Sequence, residues 1–324
     1  MTEQTPMFNR LALIGVGLIG GSIARAARAL SLVETIVATS RSEPTRQRIA
    51  ELGLADEVVD SAADAVADAD LVIVSVPIGA CGPVAREIGP HLKLGAIVSD
   101  VGSVKGDVIA AMGPYIPPGV HFIPGHPVAG TEHSGPDAGF AELFVNRWCI
   151  LTPPPNADRR AIERLSRFWE AFGANVEIMS AEHHDLVLAV TSHVPHLIAY
   201  TIVGTAFDLR LVTESEILKY SASGFRDFTR IAASDPTMWR DIFLHNKDAV
   251  LEVLGRFNED LATLTRAVRR GDGETLFNLF AERRAIRRGM VQLDSGKPAP
   301  DFQSAESKPP HDPIPRPYAA FDDD

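Results

Sequence analysis

Four short segments of the chain combine residue types that move protons or hold anions. Gly125-His126-Pro127 fixes an imidazole in a short turn, and histidine titrates near neutrality, which suits a general base. A loop histidine bonded to backbone is the plainer alternative. Ser99 to Lys105, reading SDVGSVK, groups hydroxyls, a carboxylate and an amine where a strand leads into a helix. His193 and His196 stand three apart in Ser192-His193-Val194-Pro195-His196 and share a helix face with Ala189, Ser192 and Tyr200. They line a cleft or are buried and satisfied. Gly224 to Ala232 and Ser234 to Arg240 contribute arginines whose planar forks suit a carboxylate, although spacing alone does not single one out. His183, His184 and Asp185 lie upstream of His193, but nothing completes a zinc spacing, so no metal is expected.

The elements that position these residues fall into two kinds. Residues 9 to about 178 alternate short apolar runs with helical stretches. Strands are expected at Leu11 to Ile14, Thr35 to Thr39, Leu71 to Val76, Ala96 to Ser99, His121 to Ile123, Trp148 to Leu151 and Val176 to Met179. Buried runs alternating with helices imply parallel βαβ units in a doubly wound, Rossmann-type α/β sheet. Such a sheet places its ligands at the carboxyl ends of its strands. After Met179 the pattern is helical. One helix runs from about Ala181 to Phe207, with a kink expected at Pro195. Another opens at Ser234-Asp235-Pro236, a good cap with proline in the first turn, and continues to about Arg270. Within it Val250, Leu254, Phe257, Leu261, Leu264 and Val268 form a heptad-like seam, suited to a bundle contact or a dimer interface. The expected domains are therefore a dinucleotide-binding domain at 1–178, an all-helical substrate and dimerisation domain at 179–294, and a disordered Pro-rich acidic tail at 295–324.

Gly15-Val16-Gly17-Leu18-Ile19-Gly20 follows the first strand and opens a helix. Gly15 permits the tight turn, Gly17 admits a pyrophosphate to the backbone, and Gly20 lets the helix pack closely. The helix N-terminus then offers free N–H groups to the phosphates. At the tip of the second strand an NAD enzyme usually places Asp or Glu on the ribose. Here Thr39-Ser40-Arg41-Ser42 supplies a cation and hydroxyls instead, which favours NADP over NAD.

Composition narrows the partners. The 324 residues are 45% hydrophobic and 23% charged, ordinary values for a chain with substantial cores. A net charge of −11 argues against general binding to nucleic acid or anionic membranes. The two cysteines, Cys81 and Cys149, suit a reducing cytoplasm. No basic leader is visible, and the apolar stretches read as too short to span a bilayer.

Taken together, the motifs closely resemble the prephenate/arogenate (cyclohexadienyl) dehydrogenase family of tyrosine biosynthesis. They are GxGLIGGS at Gly15 to Ser22, DVGSVK at Asp100 to Lys105, GHPVAGTEHSG at Gly125 to Gly135, SHVPH at Ser192 to His196, and GFRDFTRIAASDPTMWRDIF at Gly224 to Phe243. The resemblance spans about residues 9 to 290, and neither an appended regulatory domain nor a preceding mutase segment is expected. It implies an NAD(P)-dependent oxidoreductase that oxidatively decarboxylates prephenate and/or arogenate to 4-hydroxyphenylpyruvate and/or tyrosine. It implies His126 as the base on the ring 4-hydroxyl and Ser103 as its orienting partner. Arg230 resembles the side-chain carboxylate anchor, and His193, His196, Thr131, Glu132 and Trp239 resemble pocket residues. The cofactor side comprises Gly15, Gly17, Leu18, Ile19, Gly20, Ser40, Arg41, Ser75 and Asp100. A cytoplasmic homodimer acting on a small molecule is expected. The alternatives are a 2-/3-hydroxy acid dehydrogenase of similar architecture, which usually carries a lysine on the long helix, and a non-catalytic nucleotide-sensing protein.

Overall fold

The computed structural model describes residues 5–131, 133–208, 219 and 223–294. Glu132 and the tail at 295–324 lie outside the described residues. By its contacts the chain divides into two compact units, Met1–Arg256 and Phe257–Asp324.

The first unit is built on six parallel strands: β1 (Phe8–Ile14), β2 (Val33–Thr39), β3 (Glu57–Val58), β4 (Leu71–Val74), β5 (Ile97–Asp100) and β6 (His121–Phe122). Their order is β3-β2-β1-β4-β5-β6. Alternate side chains feed two cores. Leu11, Leu13, Leu71 and Ile73 enter one face, and Ala12, Ile14, Val72 and Val74 the other. Both faces are covered, by α1 (Leu18–Ala29), α2 (Glu43–Glu51), α3 (Ala62–Val66), α4 (Cys81–Ile88) and α5 (Gly106–Met112) among others. Strand order reverses between β1 and β4, so a crevice opens at their carboxyl ends.

The expectation of one doubly wound sheet through Met179 is corrected in its last part. β7 (Gly125–Pro127), β8 (Trp148–Leu151) and β9 (Asn175–Ile178) form a separate three-stranded sheet. β7 runs antiparallel to β8, while β9 is parallel to it. His126 therefore lies on a strand, opposite Ile150, and not in a turn. α6 (Arg159–Ala171) connects β8 to β9 and is capped by Asp158, whose carboxylate accepts the Ala161 N–H at 2.9 Å. Its inner face carries Ala161, Leu165, Phe168 and Trp169.

The helical run after β9 comprises α7 (Ala181–Leu188), a π-helical turn (Ala189–His193) and α8 (Val194–Asp208). The disturbance expected at Pro195 falls just ahead of it. Proline has no N–H to offer the preceding turn, and its ring pushes the backbone there outward. Taken as one 28-residue helix, the run contains an 18-residue stretch of mean hydropathy 1.6, long and apolar enough to cross a membrane by length and composition alone. That corrects the expectation drawn from shorter uninterrupted stretches. In this fold the run carries the buried His184, Asp185 and His193.

α9 (Ser223–Thr229) and α10 (Pro236–His245) follow, the latter capped by Asp235. The single helix expected from Pro236 to Arg270 is interrupted at Asn246, where α10 ends and α11 (Lys247–Arg270) begins. The Asn246 side chain is occupied across the fold, by the Asp185 carbonyl and His193. α11 continues past Arg256 into the second unit, which also holds α12 (Gly273–Asp294). Of the heptad seam Val250 is buried, whereas Leu261 and Val268 are exposed, as are Phe277 and Phe280 of α12.

Phe168 is central to the larger core, 4.6 Å from the Phe172 ring and 5.7 Å from Phe8 by centroids. Phe168→Ala should cost about 3–5 kcal/mol. A urea midpoint unchanged from the parent chain would contradict that packing.

Candidate active site

The glycine turn sits at the switch point between β1 and β4. Gly15 has φ +84°, and a Cβ there would meet the Ser75 carbonyl at 2.5 Å. A Cβ on Gly20 would lie 2.5 Å from the Gly15 carbonyl, so α1 is pressed against the turn. Gly17 faces open space, with nothing within 4 Å of its would-be Cβ. No side chain caps α1, whose first residues are Leu18 and Ile19. This is a cradle with uncapped N–H groups and room for a phosphate, and it fits a dinucleotide. Ser75, just past β4, lies half-buried beside it.

At the end of β2, Ser40 is half-buried and Arg41 exposed. Ser42 caps α2 by accepting the Thr45 N–H at 3.3 Å. Arg46 donates to the Ser40 and Arg41 carbonyls at 2.8 and 3.2 Å, and pairs with Asp60 at 3.0 Å. A carboxylate absent from the β2 tip itself thus approaches from beyond β3, already engaged by Arg46.

The second group centres on the end of β5. Asp100 and Lys105 are both wholly buried and form an ion pair. Asp100 also accepts the Gly102 and Gly125 N–H groups at 2.7 and 3.2 Å, while Lys105 Nζ donates to the Gly125 carbonyl at 2.6 Å. Asp100 was expected on the cofactor side. Its carboxylate is satisfied by these donors, as a buried charge must be. Ser103, on the loop between β5 and α5, is half-buried and makes no hydrogen bond to His126.

His126 is 7% exposed, and its Nδ1 lies 2.9 Å from His184 Nε2. His184 Nδ1 is 2.8 Å from Asp185 Oδ1. Asp185 in turn accepts the Lys105 and Gly106 N–H groups, each at 2.8 Å, which anchors α7 to the start of α5. Burial, reinforced by the charges of His184, Lys105 and His193, holds the His126 pKa well below 6.5. Burial also lowers His184, against the opposing pull of Asp185. Burial alone would raise Asp185, but its three hydrogen bonds outweigh that and keep it below the usual carboxylate value.

A third cluster lies on the helical side. Trp239 stacks on His196, with centroids 3.6 Å apart and planes inclined at 23°, and packs against Val104, the neighbour of Ser103. Asn246 Nδ2 lies 3.0 Å from His193 Nδ1, leaving His193 Nε2 and Trp239 Nε1 buried without a partner. Two such orphaned N–H donors are suited to an oxygen-rich anion. Arg230 is exposed on a 3₁₀ turn (Arg230–Ala233), and its charge joins burial in lowering the His196 pKa. Thr131 is exposed and accepts the His133 N–H at 3.2 Å. Among the described residues no group of three or more His, Cys, Asp or Glu is placed to hold a metal ion.

Sequence reasoning missed Lys105, His184, Asp185 and Asn246 as site residues. His183-His184-Asp185 was visible as a run, but only as a possible metal set. Helical spacing from Asp185 to the SHVPH segment was the available signal that these residues share an environment.

The cradle at the switch point, with a buried neutral imidazole on the strand that follows the sheet, marks the chain as a dinucleotide-dependent oxidoreductase. Models of the nucleotide-binding domain and the dimerization domain of prephenate dehydrogenase match residues 23–178 and 180–282. A cyclohexadienyl dehydrogenase of Zymomonas mobilis is 45% identical over 281 residues, covering 87% of this chain and 96% of that protein. A prephenate dehydrogenase of Bacillus subtilis is 34% identical over 291 residues, covering 90% and 78%. The crystal structure of the A. aeolicus prephenate dehydrogenase, in complex with hydroxyphenyl propionate and NAD+, superposes with a TM-score of 0.81 at 34% identity, covering 89% of this chain and 100% of that one. The chain belongs to the prephenate dehydrogenase family.

Three buried imidazoles held neutral have a consequence for stability. His193 is pushed down to about 4, chiefly by burial, against an ordinary value of 6.5. Below about pH 6.5 the unfolded chain takes up protons that the folded chain refuses, so stability falls with pH until the folded groups titrate. For His193 alone the loss between 6.5 and 4 is on the order of 3 kcal/mol. Urea unfolding at pH 7.5, 6 and 5 should show the decline, and His193→Gln should flatten it. A midpoint independent of pH over this range would contradict the burial of these groups.

Proposed function

We propose that the chain catalyses the nicotinamide-dependent oxidative decarboxylation of prephenate and/or arogenate, yielding 4-hydroxyphenylpyruvate and/or tyrosine. The observation that carries this reading is His126, a buried imidazole kept neutral and braced by its neighbours, as a base for a substrate hydroxyl must be. Bound nicotinamide supplies the hydride acceptor for ring carbon C4. Gly15, Gly17, Leu18, Ile19, Gly20 and Ser75 would hold the dinucleotide, with Ser40 and Arg41 toward its ribose. His126 takes the proton of the ring 4-hydroxyl, and Ser103 orients that hydroxyl. Arg230 anchors the side-chain carboxylate, with His193, His196, Thr131, Glu132 and Trp239 around it. The unpartnered N–H groups of His193 and Trp239 support an anion in this pocket. Loss of the ring carboxylate as carbon dioxide aromatises the product, which drives the reaction forward.

The exposed apolar side chains of α11 and α12, with the match to a dimerization domain, support a homodimer. A cytoplasmic location suits the two free, buried cysteines.

Turnover of prephenate and arogenate with NAD and with NADP tests the assignment directly. His126→Asn should lower kcat by about 10²–10⁴ while dinucleotide affinity persists. Near-normal turnover by the folded variant would remove His126 from the chemistry. Inactivity of the parent chain on both substrates would overturn the reading as a whole.

The cofactor preference rests on the β2 tip. Arg41 and Ser40 support NADP binding at least as well as NAD. Arg41→Ala should weaken NADP selectively, by about ten-fold, the effect of one charge-assisted contact. Ser40→Asp should shift preference toward NAD. A strong NAD preference that Arg41→Ala leaves untouched would show that the tip faces away from the ribose.

A further inference from the structure

His126, His184 and Asp185 form a hydrogen-bonded line that crosses from the small sheet to the helical side. The direction of every proton in that line follows from its last member. Asp185 is ionised, accepts two backbone N–H groups, and offers His184 only lone pairs. His184 must therefore carry its proton on Nδ1 and present a bare Nε2. A bare nitrogen 2.9 Å away obliges His126 to donate from Nδ1. The remaining lone pair of neutral His126 is then on Nε2, the nitrogen that the protein leaves without a hydrogen bond.

We propose that His184 and Asp185 are positioning residues that fix His126 as the Nδ1–H tautomer, so that Nε2 is the base, and that draw the resulting positive charge onto His184. This deepens, and rests on, the assignment of His126 as the base in oxidative decarboxylation. When the substrate O–H breaks, its electron pair stays on oxygen and the proton bonds to His126 Nε2. The Nδ1 proton passes to His184 Nε2, and the charge settles beside the Asp185 carboxylate. That is the better of the two places for it. The groups facing His126 are Lys105 from the start of α5, His184 from α7 and His193 from the π turn, none of them anionic. His184 faces Lys105 too, but also Asp185 and Asp100. The same carboxylate holds the start of α5, so the loop bearing Ser103 and the tautomer of His126 are set by one side chain.

Nitrogen-15 NMR of the whole protein with labelled histidines reads the tautomer without any substrate. The His126 signals are those missing from the His126→Asn spectrum. At pH 7.5 they should show a protonated Nδ1 and a bare Nε2; a protonated Nε2 overturns the proposal, whatever the activity. In His184→Gln the side-chain oxygen still accepts from Nδ1, but the residue cannot take up a proton. Its kcat should fall by on the order of 10²-fold with KM within about twofold. The acid limb of its kcat/KM profile should move downward, because the variant has no second imidazole to hold the proton beside Asp185. A kcat within twofold of the parent would overturn the relay. If His184→Gln fails to fold, the parent spectrum decides. If the parent chain turns over neither cyclohexadienyl substrate, the functional reading fails while the tautomer result stands by itself.

Discussion

Charge held where water cannot reach is the constraint from which the rest of the site follows. Lys105 and Asp100 are both wholly buried, and removing either ion from water costs several kcal/mol unless each finds a full set of partners. The carboxylate takes the amine and two backbone N–H groups, and the amine takes the carboxylate and a backbone carbonyl. These partners come from the end of β5, the loop ahead of α5, and the first residue of β7. None of the three segments can shift without stranding an ion. The strand that carries His126 is thereby tied to the parallel sheet although it pairs with a different one.

The same economy of partners shapes the helical side. Asp185 satisfies the opening N–H groups of α5, and Asn246 links the Asp185 carbonyl to His193. An imidazole that is buried and neutral can donate or accept with little electrostatic penalty, whereas a charged one there would need a counter-ion. The cluster of His193, His196 and Trp239 accordingly offers neutral donors, and the cation, Arg230, stays at the exposed edge. A pocket of this kind admits an anion without holding permanent positive charge in its depth.

Local patterns make much of this legible in the sequence. The glycine turn announces itself because each glycine answers a steric demand that its neighbours impose, as Gly15 and Gly20 show. Five of the six parallel strands were readable because buried runs flanked by helices have few other fates, whereas β3, two residues long and only partly buried, leaves no such run. The second sheet was not, since β7, β8 and β9 are short and their pairing joins residues far apart in sequence. Lys105 is visible as the amine of the SDVGSVK segment, but its burial against Asp100 appears only once its partners are assembled around it. The break at Asn246 is also invisible locally, because the side chain that interrupts the helix does so by reaching segments about fifty to sixty residues away.

The π-helical turn that carries His193 has a consequence of phase. A π turn is wider than an α turn by about one residue, and each residue of an α-helix advances the azimuth by about 100°. Everything from Val194 onward is thus rotated relative to the helix before Ala189 by roughly that step. Winding the same residues as regular α-helix would remove that offset. Asp185 would still face α5, but His196 and Tyr200 would swing around the axis, away from Trp239 and the Ser234 carbonyl that now receive them. The irregularity works as a gearing between two halves of one helix. It lets the first half answer to the sheet and the second to the helices that follow.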